Sequence, residues 1–126
     1  MDAALAKKLK LTGRKKPVVI DAPAGYDVPG AAAKLSGKFD FVQLFVKSEA
    51  ELAKVAPKAV AALEPDAILW VSFPKGSSKI QTDLTRDKGW DSLRKFPLKW
   101  ITLISVNDTW SAFALGPLKK GEEPNW

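Results

Sequence analysis

Apolar residues fall along this chain in two rhythms. Four short runs are nearly continuous in apolar, β-branched and aromatic residues. They are PVVIDA (Pro17–Ala22), FDFVQLFV (Phe39–Val46), DAILWVSF (Asp66–Phe73) and LKWITLISV (Leu98–Val106). Such runs predict strands; PVVIDA reads as a buried one, and VVI and ILWV, apolar on both sides, need cover on both faces. WSAFALG (Trp110–Gly116) follows the last run across Asn107-Asp108-Thr109, a turn composition, and reads as its antiparallel hairpin partner. Elsewhere the spacing is helical. Leu52, Val55, Ala56, Ala59, Val60 and Leu63 form a 3.6-residue stripe behind the capping box Ser48-Glu49-Ala50-Glu51. Pro57 lies inside that stripe and predicts a kink, or two short helices meeting near Ala56. Leu5 and Leu9 predict a short amphipathic helix over Ala3–Leu11, ended by Thr12-Gly13. Pro29–Leu35 reads as another, followed by Gly37. A further helix is expected over Arg86–Lys95, capped by Thr85, burying Trp90 and Leu93 and weakened by Gly89. Residues 117–126 read as a loose tail.

Strands alternating with helices, then a closing hairpin, predict one α/β domain over residues 1–126, a Rossmann-like half-sheet of five strands in two or three layers. The first four strands are expected parallel. The fifth is antiparallel and inserted, giving the order first-second-third-fifth-fourth; the alternative leaves it at the edge. Right-handed crossovers advancing in one direction would put three connecting helices on one face. Only the N-terminal helix then remains for the other. That predicts either a homodimer through that face or close docking of the helix.

Composition removes several chemistries. There is no cysteine and no histidine. Disulfides, thiolate metal sites, a cysteine nucleophile and a Ser–His–Asp triad are excluded, and no metal site, catalytic residue or cofactor is expected. No apolar run reaches the roughly 20 residues of a membrane span. The N-terminus lacks the apolar core of a secretory signal, so a cytoplasmic protein is expected. Net charge is +6, and six basic residues lie between Lys7 and Lys16. Nucleic acid is therefore a candidate partner through that segment. Against it, only three of the 20 basic residues are arginine, and no aromatic-basic pattern for single-strand binding is visible.

In open α/β sheets ligands sit beyond the carboxyl ends of the parallel strands. Three polar connectors should meet there: Asp21 and Tyr26 after the first strand, Lys75 to Lys79 after the third, and Asn107, Asp108 and Trp110 after the fourth. Lys75 and Lys79 would give charge, Ser77 and Ser78 donors, Gly76 close backbone approach, and Thr82 a further hydroxyl. The expected ligand is a small anion or phosphate. No Walker motif is present. Each residue also has a plainer role. The loop also reads as a solvated connector, Thr85 as a cap for the amides of Arg86 to Lys88, Asp108 and Thr109 as turn formers, Trp70 and Trp110 as core, and Asp21 as a cap for Ala24-Gly25-Tyr26.

The hairpin ordering resembles the C-terminal half of class I methyltransferases. Those enzymes carry a glycine-rich turn and an acidic residue for S-adenosylmethionine. Here DAPAGY has one glycine, and 16 residues separate the first two strands, which leaves no room for the half that binds adenosine. Methyl transfer is not implied; a degenerate methyltransferase-like enzyme or pseudoenzyme is the alternative. LKLTGRKKPVVIDAPAGY, FDFVQLFVKSEAEL, AILWVSFPKGSSKIQTDLT and VNDTWSAFALGP resemble a small bacterial family known only as a domain of unknown function. The resemblance rests on Pro74, Lys75, Ser78, Thr82 to Thr85, Asp108, Trp110 and Ser111. It implies a fold and no activity. The leading reading is thus a non-enzymatic binding or interaction module.

Overall fold

The computed structural model describes residues 2–126. Five strands form one sheet: β1 (Pro17–Ile20), β2 (Phe39–Phe45), β3 (Leu63–Pro74), β4 (Leu98–Ser105) and β5 (Trp110–Pro117). Their order is β1-β2-β3-β5-β4. β1, β2 and β3 pair in parallel, while β5 runs antiparallel between β3 and β4. The inserted hairpin is therefore as the apolar runs predict. Its turn is fixed by Asn107, whose Oδ1 accepts from the amides of Thr109 and Trp110, both at 2.9 Å. Asp108 makes neither bond.

Each face of the sheet has its own core. On one, Val42, Leu44, Leu69 and Val71 meet Leu52, Ala56 and Ala59 of helix α2 (Glu49–Ala61), with Trp90 and Leu93 beside them. α2 is continuous through Pro57. That residue is exposed, so water can take the carbonyl its ring leaves unpaired, and the expected division near Ala56 does not occur. On the other face, Phe41, Phe45, Ile68, Trp70, Ala112 and Ala114 pack with Leu9 and Val28. Helix α1 (Ala3–Lys8) docks here, and the Trp70 indole donates to the Leu9 carbonyl at 2.9 Å. Docking of the N-terminal helix, one of the two expected ways to cover this face, is what the fold uses.

Three further expectations need correction. Pro29–Leu35 is not a helix. Gly30 sits at φ +77°, and Ala32 instead bridges β1, accepting from the Val19 amide and donating to the Pro17 carbonyl, both at 2.9 Å. The segment wraps the outer edge of β1, with Leu35 against one core and Tyr26, Val28 and Ala31 against the other. The three connections thus do not share one face. The helix expected over Arg86–Lys95 shrinks to α3 (Asp91–Arg94). Thr85 closes a turn there, its Oγ1 accepting from Asp87 and Lys88 at 3.3 and 3.1 Å, and Gly89 takes φ +101°. Trp90 and Leu93 are nonetheless buried. Residues 117–126 are not wholly loose. Asn125 brackets the Trp100 backbone, accepting at 2.7 Å and donating at 3.1 Å, and the Trp126 indole donates to the Leu98 carbonyl.

Candidate functional site

The carboxyl ends of β1, β2 and β3 lie on one rim, and the β4–β5 turn meets them: the Lys75 amide donates to the Thr109 carbonyl at 2.8 Å, beside Asp108. After β3 the chain forms a short built loop. Ser78 Oγ donates to the Lys75 carbonyl at 2.7 Å, and the Ser78 amide donates to the same oxygen at 3.0 Å. Thr82 Oγ1 accepts from the Leu84 amide at 3.0 Å. These bonds hold the loop in one shape, so it is more than a solvated connector in form.

An open cleft of about 630 Å³ lies between this loop and the start of α2, lined by Lys47, Ser48, Ser78, Lys79, Thr82 and Asp83 among others. Lys47 leaves the end of β2 and Lys79 leaves the loop after β3, so adjacent parallel strands each send a lysine to one cleft. Neither lysine forms an ion pair among the described residues. The α2 N-terminus is already served from within the chain. Ser48 Oγ accepts from the Glu51 amide at 3.1 Å, and Asp83 Oδ1 accepts from the Glu49 amide at 2.8 Å. A carboxylate at a helix N-terminus is favoured by the helix dipole. Free positive charge at the cleft thus resides in the two lysines, not in the helix amides.

The ten residues singled out from the sequence share the rim but not one pocket. Gly76, Ser78, Lys79 and Thr82 line the cleft. Lys75 turns toward β4, where its Nζ donates to Ser105 Oγ at 2.6 Å. Ser77 and Asp108 are exposed and line neither cavity described here. Asp21 adopts φ +59°, caps no amide among the described residues, and borders a second cleft of about 360 Å³ between β1 and α2. Trp110 is buried against Phe45 with ring centroids 5.1 Å apart, a core role as the plainer reading had it.

Tyr26 lies on the α1 face. Its hydroxyl donates to Gln43 Oε1 at 2.6 Å, and Gln43 Nε2 donates to Ser72 Oγ at 3.0 Å. Among the described residues Gln43 and Ser72 are the two buried polar side chains, and this chain of bonds satisfies them. Neither they nor Lys47 and Asp83 were singled out from the sequence. A lone glutamine inside FDFVQLFV is the visible signal for the first; Lys47-Ser48, directly after the second strand, is the signal for the cleft.

Burial pushes the Tyr26 hydroxyl from 10.0 to about 12, with the Gln43 hydrogen bond acting in the opposite direction. Between pH 10 and 12 the unfolded chain therefore releases a proton that the folded chain keeps. Stability present below pH 10 falls as pH rises through that window. Wild type should lose about 1–2 kcal/mol more than Tyr26→Phe across it, allowing for partial solvent access. Tyr26 is the sole tyrosine. Phenolate absorbance titration reads it directly, and a midpoint near 10 would contradict the buried network.

Among the described residues no group of three or more His, Cys, Asp or Glu is placed to hold a metal ion, and no helix is long and apolar enough to cross a membrane. No family model and no curated protein matches the chain. Solved structures do. LepI in complex with SAM aligns over 92% of this chain and 40% of its own, with TM-score 0.54 and 12% identity. A LepI variant in complex with SAH and a substrate analogue aligns over 91% and 39%, with TM-score 0.54 and 11% identity. The ribosomal protein L11 methylase from Lactobacillus delbrueckii subsp. bulgaricus aligns over 69% and 44%, with TM-score 0.49 and 16% identity. This chain spans well under half the length of each. What it shares with the LepI structures is the α/β fold.

Proposed function

We propose that the chain is a non-enzymatic binding module that takes a small phosphate-bearing anion in the cleft after β3. The observation that carries this reading is the pair of unpaired lysines, Lys47 and Lys79, brought to one cleft at the carboxyl ends of neighbouring parallel strands. That is where open α/β sheets bind ligands. Thr82, which accepts from the Leu84 amide, keeps its O–H free as a further donor, and the Ser78 bond to the Lys75 carbonyl fixes the backbone in advance. Histidine and cysteine are absent. Lys47 and Lys79 supply positive charge and N–H donors for holding an anion, while the Asp83 carboxylate is engaged by the Glu49 amide.

Thermal-shift measurement with inorganic pyrophosphate tests it. A ligand that binds only the folded state at 100 times its Kd adds about 2.7 kcal/mol. Wild type should show a saturable rise in Tm, and the double variant Lys47→Glu with Lys79→Glu should show none. Equal stabilisation of both proteins, or no stabilisation by pyrophosphate, would remove this reading.

A second reading is a degenerate methyltransferase-like protein. It is favoured by the fold shared with the SAM-bound LepI structure and by the cleft beside Asp21, which also exposes Glu51 and Lys54. A SAM arm in the same experiment separates the two, since stabilisation by SAM that persists in the double lysine variant supports this second reading. Nucleic-acid binding through Lys7–Lys16 has less support. Arg14 is held by the carbonyls of Lys10, Asp40 and Asp66, Lys8 by the Ser105 carbonyl, and Lys16 pairs with Glu64.

A further inference from the structure

Residues far apart in the chain build an aromatic and basic cleft at the opposite edge of the sheet from β1. Its volume is about 540 Å³, and it is lined by Arg86, Arg94, Trp100, Thr102, Phe113 and Trp126, with Asp87 and Leu103 at its side. Two of the three arginines in this lysine-rich chain are here. Among the described residues Trp100 is the large apolar side chain that stays exposed, at 38%. Tryptophan side chains cost much to leave in water. This one is nonetheless held in place. A bulge between Trp100 and Thr102 re-aims the strand, and the Asn125 amide grips both the N–H and the C=O of Trp100. Buried Phe113 and half-buried Trp126 back the cleft behind it, with ring centroids 6.3 Å from Trp100 to Phe113 and 5.7 Å from Phe113 to Trp126. The Arg94 guanidinium lies 5.3 Å over the Trp126 ring.

We propose that this cleft binds single-stranded nucleic acid, stacking a base on Trp100 and taking phosphates on Arg86 and Arg94. An exposed indole on a pinned backbone, with two guanidinium groups lining the same cleft, matches an unstacked base with its charged backbone. A duplex hides its base faces and lacks that match. The ion-pair partners of the two arginines are solvent-exposed. Arg86 meets Asp87 at 3.4 Å, and Arg94 meets Asp91 at 3.0 Å. Exposed pairs of this kind are weak and readily exchanged. The overall basic charge, with pI ≈ 9.6, favours approach of a polyanion. The site shares no residue with the Lys47–Lys79 cleft and stands independently of it.

Fluorescence anisotropy with a labelled oligothymidylate of roughly ten nucleotides, about the span of one small domain, tests the proposal. Binding should be saturable at low salt and weaken as salt rises. Trp100→Ala should bind about tenfold more weakly, the loss of one stacked base, while Trp100→Phe should stay near wild type. Arg86→Ala and Arg94→Ala should each flatten the logarithmic salt slope by about one. Any of three results overturns it: no saturable binding, equal affinity for a duplex of the same length, or unchanged affinity of Trp100→Ala with its Tm intact. Should Trp100→Ala fail to fold, the salt slopes of the two arginine variants decide. Sedimentation showing a Trp100-dependent dimer that takes up no oligonucleotide would instead assign the cleft to a second copy.

Discussion

Trp70→Ala should lower the unfolding free energy by about 3–5 kcal/mol, the largest effect expected for any single substitution in this protein. Trp70 has no solvent exposure and lies at the centre of the core on the α1 face. Its truncation leaves a void that Phe41, Ile68 and Leu9 cannot fill without moving strands that are packed on both sides. The loss is more than volume. The indole N–H is the donor for the Leu9 carbonyl, which ends helix α1, so the substitution also frees the element that covers this face. Trp70→Phe separates the two contributions. It keeps most of the apolar contact and strands the Leu9 carbonyl, for a cost of about 1–3 kcal/mol. Urea denaturation of the three proteins measures both values. A loss below about 1 kcal/mol for Trp70→Ala would mean that α1 docking is not what holds this face together.

Gly89→Ala should cost about 2–4 kcal/mol, although it adds one methyl group to a loop. Gly89 has φ +101°, a region that L side chains rarely enter. A Cβ there would overlap Leu84 Cδ2 and crowd Glu49 Cγ at 3.1 Å and the Asp83 carbonyl at 3.4 Å. Leu84 is buried, and Asp83 is the tether that accepts from the Glu49 amide. Relief of the overlap therefore pushes on the segment that lines the lysine cleft. Denaturation should show the loss of stability, and the pyrophosphate-induced rise in Tm should shrink with it. A variant as stable as wild type would show that the turn tolerates a side chain and that the loop is not pinned by Gly89.

Gly89 also shows why part of the fold was hidden in the sequence. Inside an apparent helix over Arg86–Lys95 it reads as a weak point. In the molecule it is the residue that ends the Thr85 turn, and the helix begins only after it. The strands were legible because VVI and ILWV are apolar on both faces, a pattern that only a covered sheet accommodates, and because FVQLFV and WITLIS are runs of strand formers, although β4 lies at the sheet edge and stays half-exposed. The inserted hairpin was legible from its short turn. Pro29–Leu35 misled because proline at the first turn and glycine after the end mark a helix, yet the segment has only three alanines and one leucine to bury, and it uses Ala32 to close the β1 edge instead.

The site was legible at the level of the rim and not of the side chains. Topology alone puts the ends of β1, β3 and β4 together. It does not say that Lys75 turns away to Ser105 while Lys79 faces the cleft, nor that Asp21 and Tyr26 part company across the sheet. Lys47 carried no motif, being a single lysine after an apolar strand. The Trp100 cleft drew on Arg86, Arg94, Trp100 and Trp126, whose spacing has no period, and only folding brings them together.

The most direct test of the lysine cleft is an amide-resolved NMR titration of the full chain with pyrophosphate. Saturable shifts centred on Lys47, Ser48 and the Gly76–Asp83 loop are expected, with β1 and the N-terminal segment quiet. Shifts spread over Lys7–Lys16, or confined to the Asp21 connector, would contradict it.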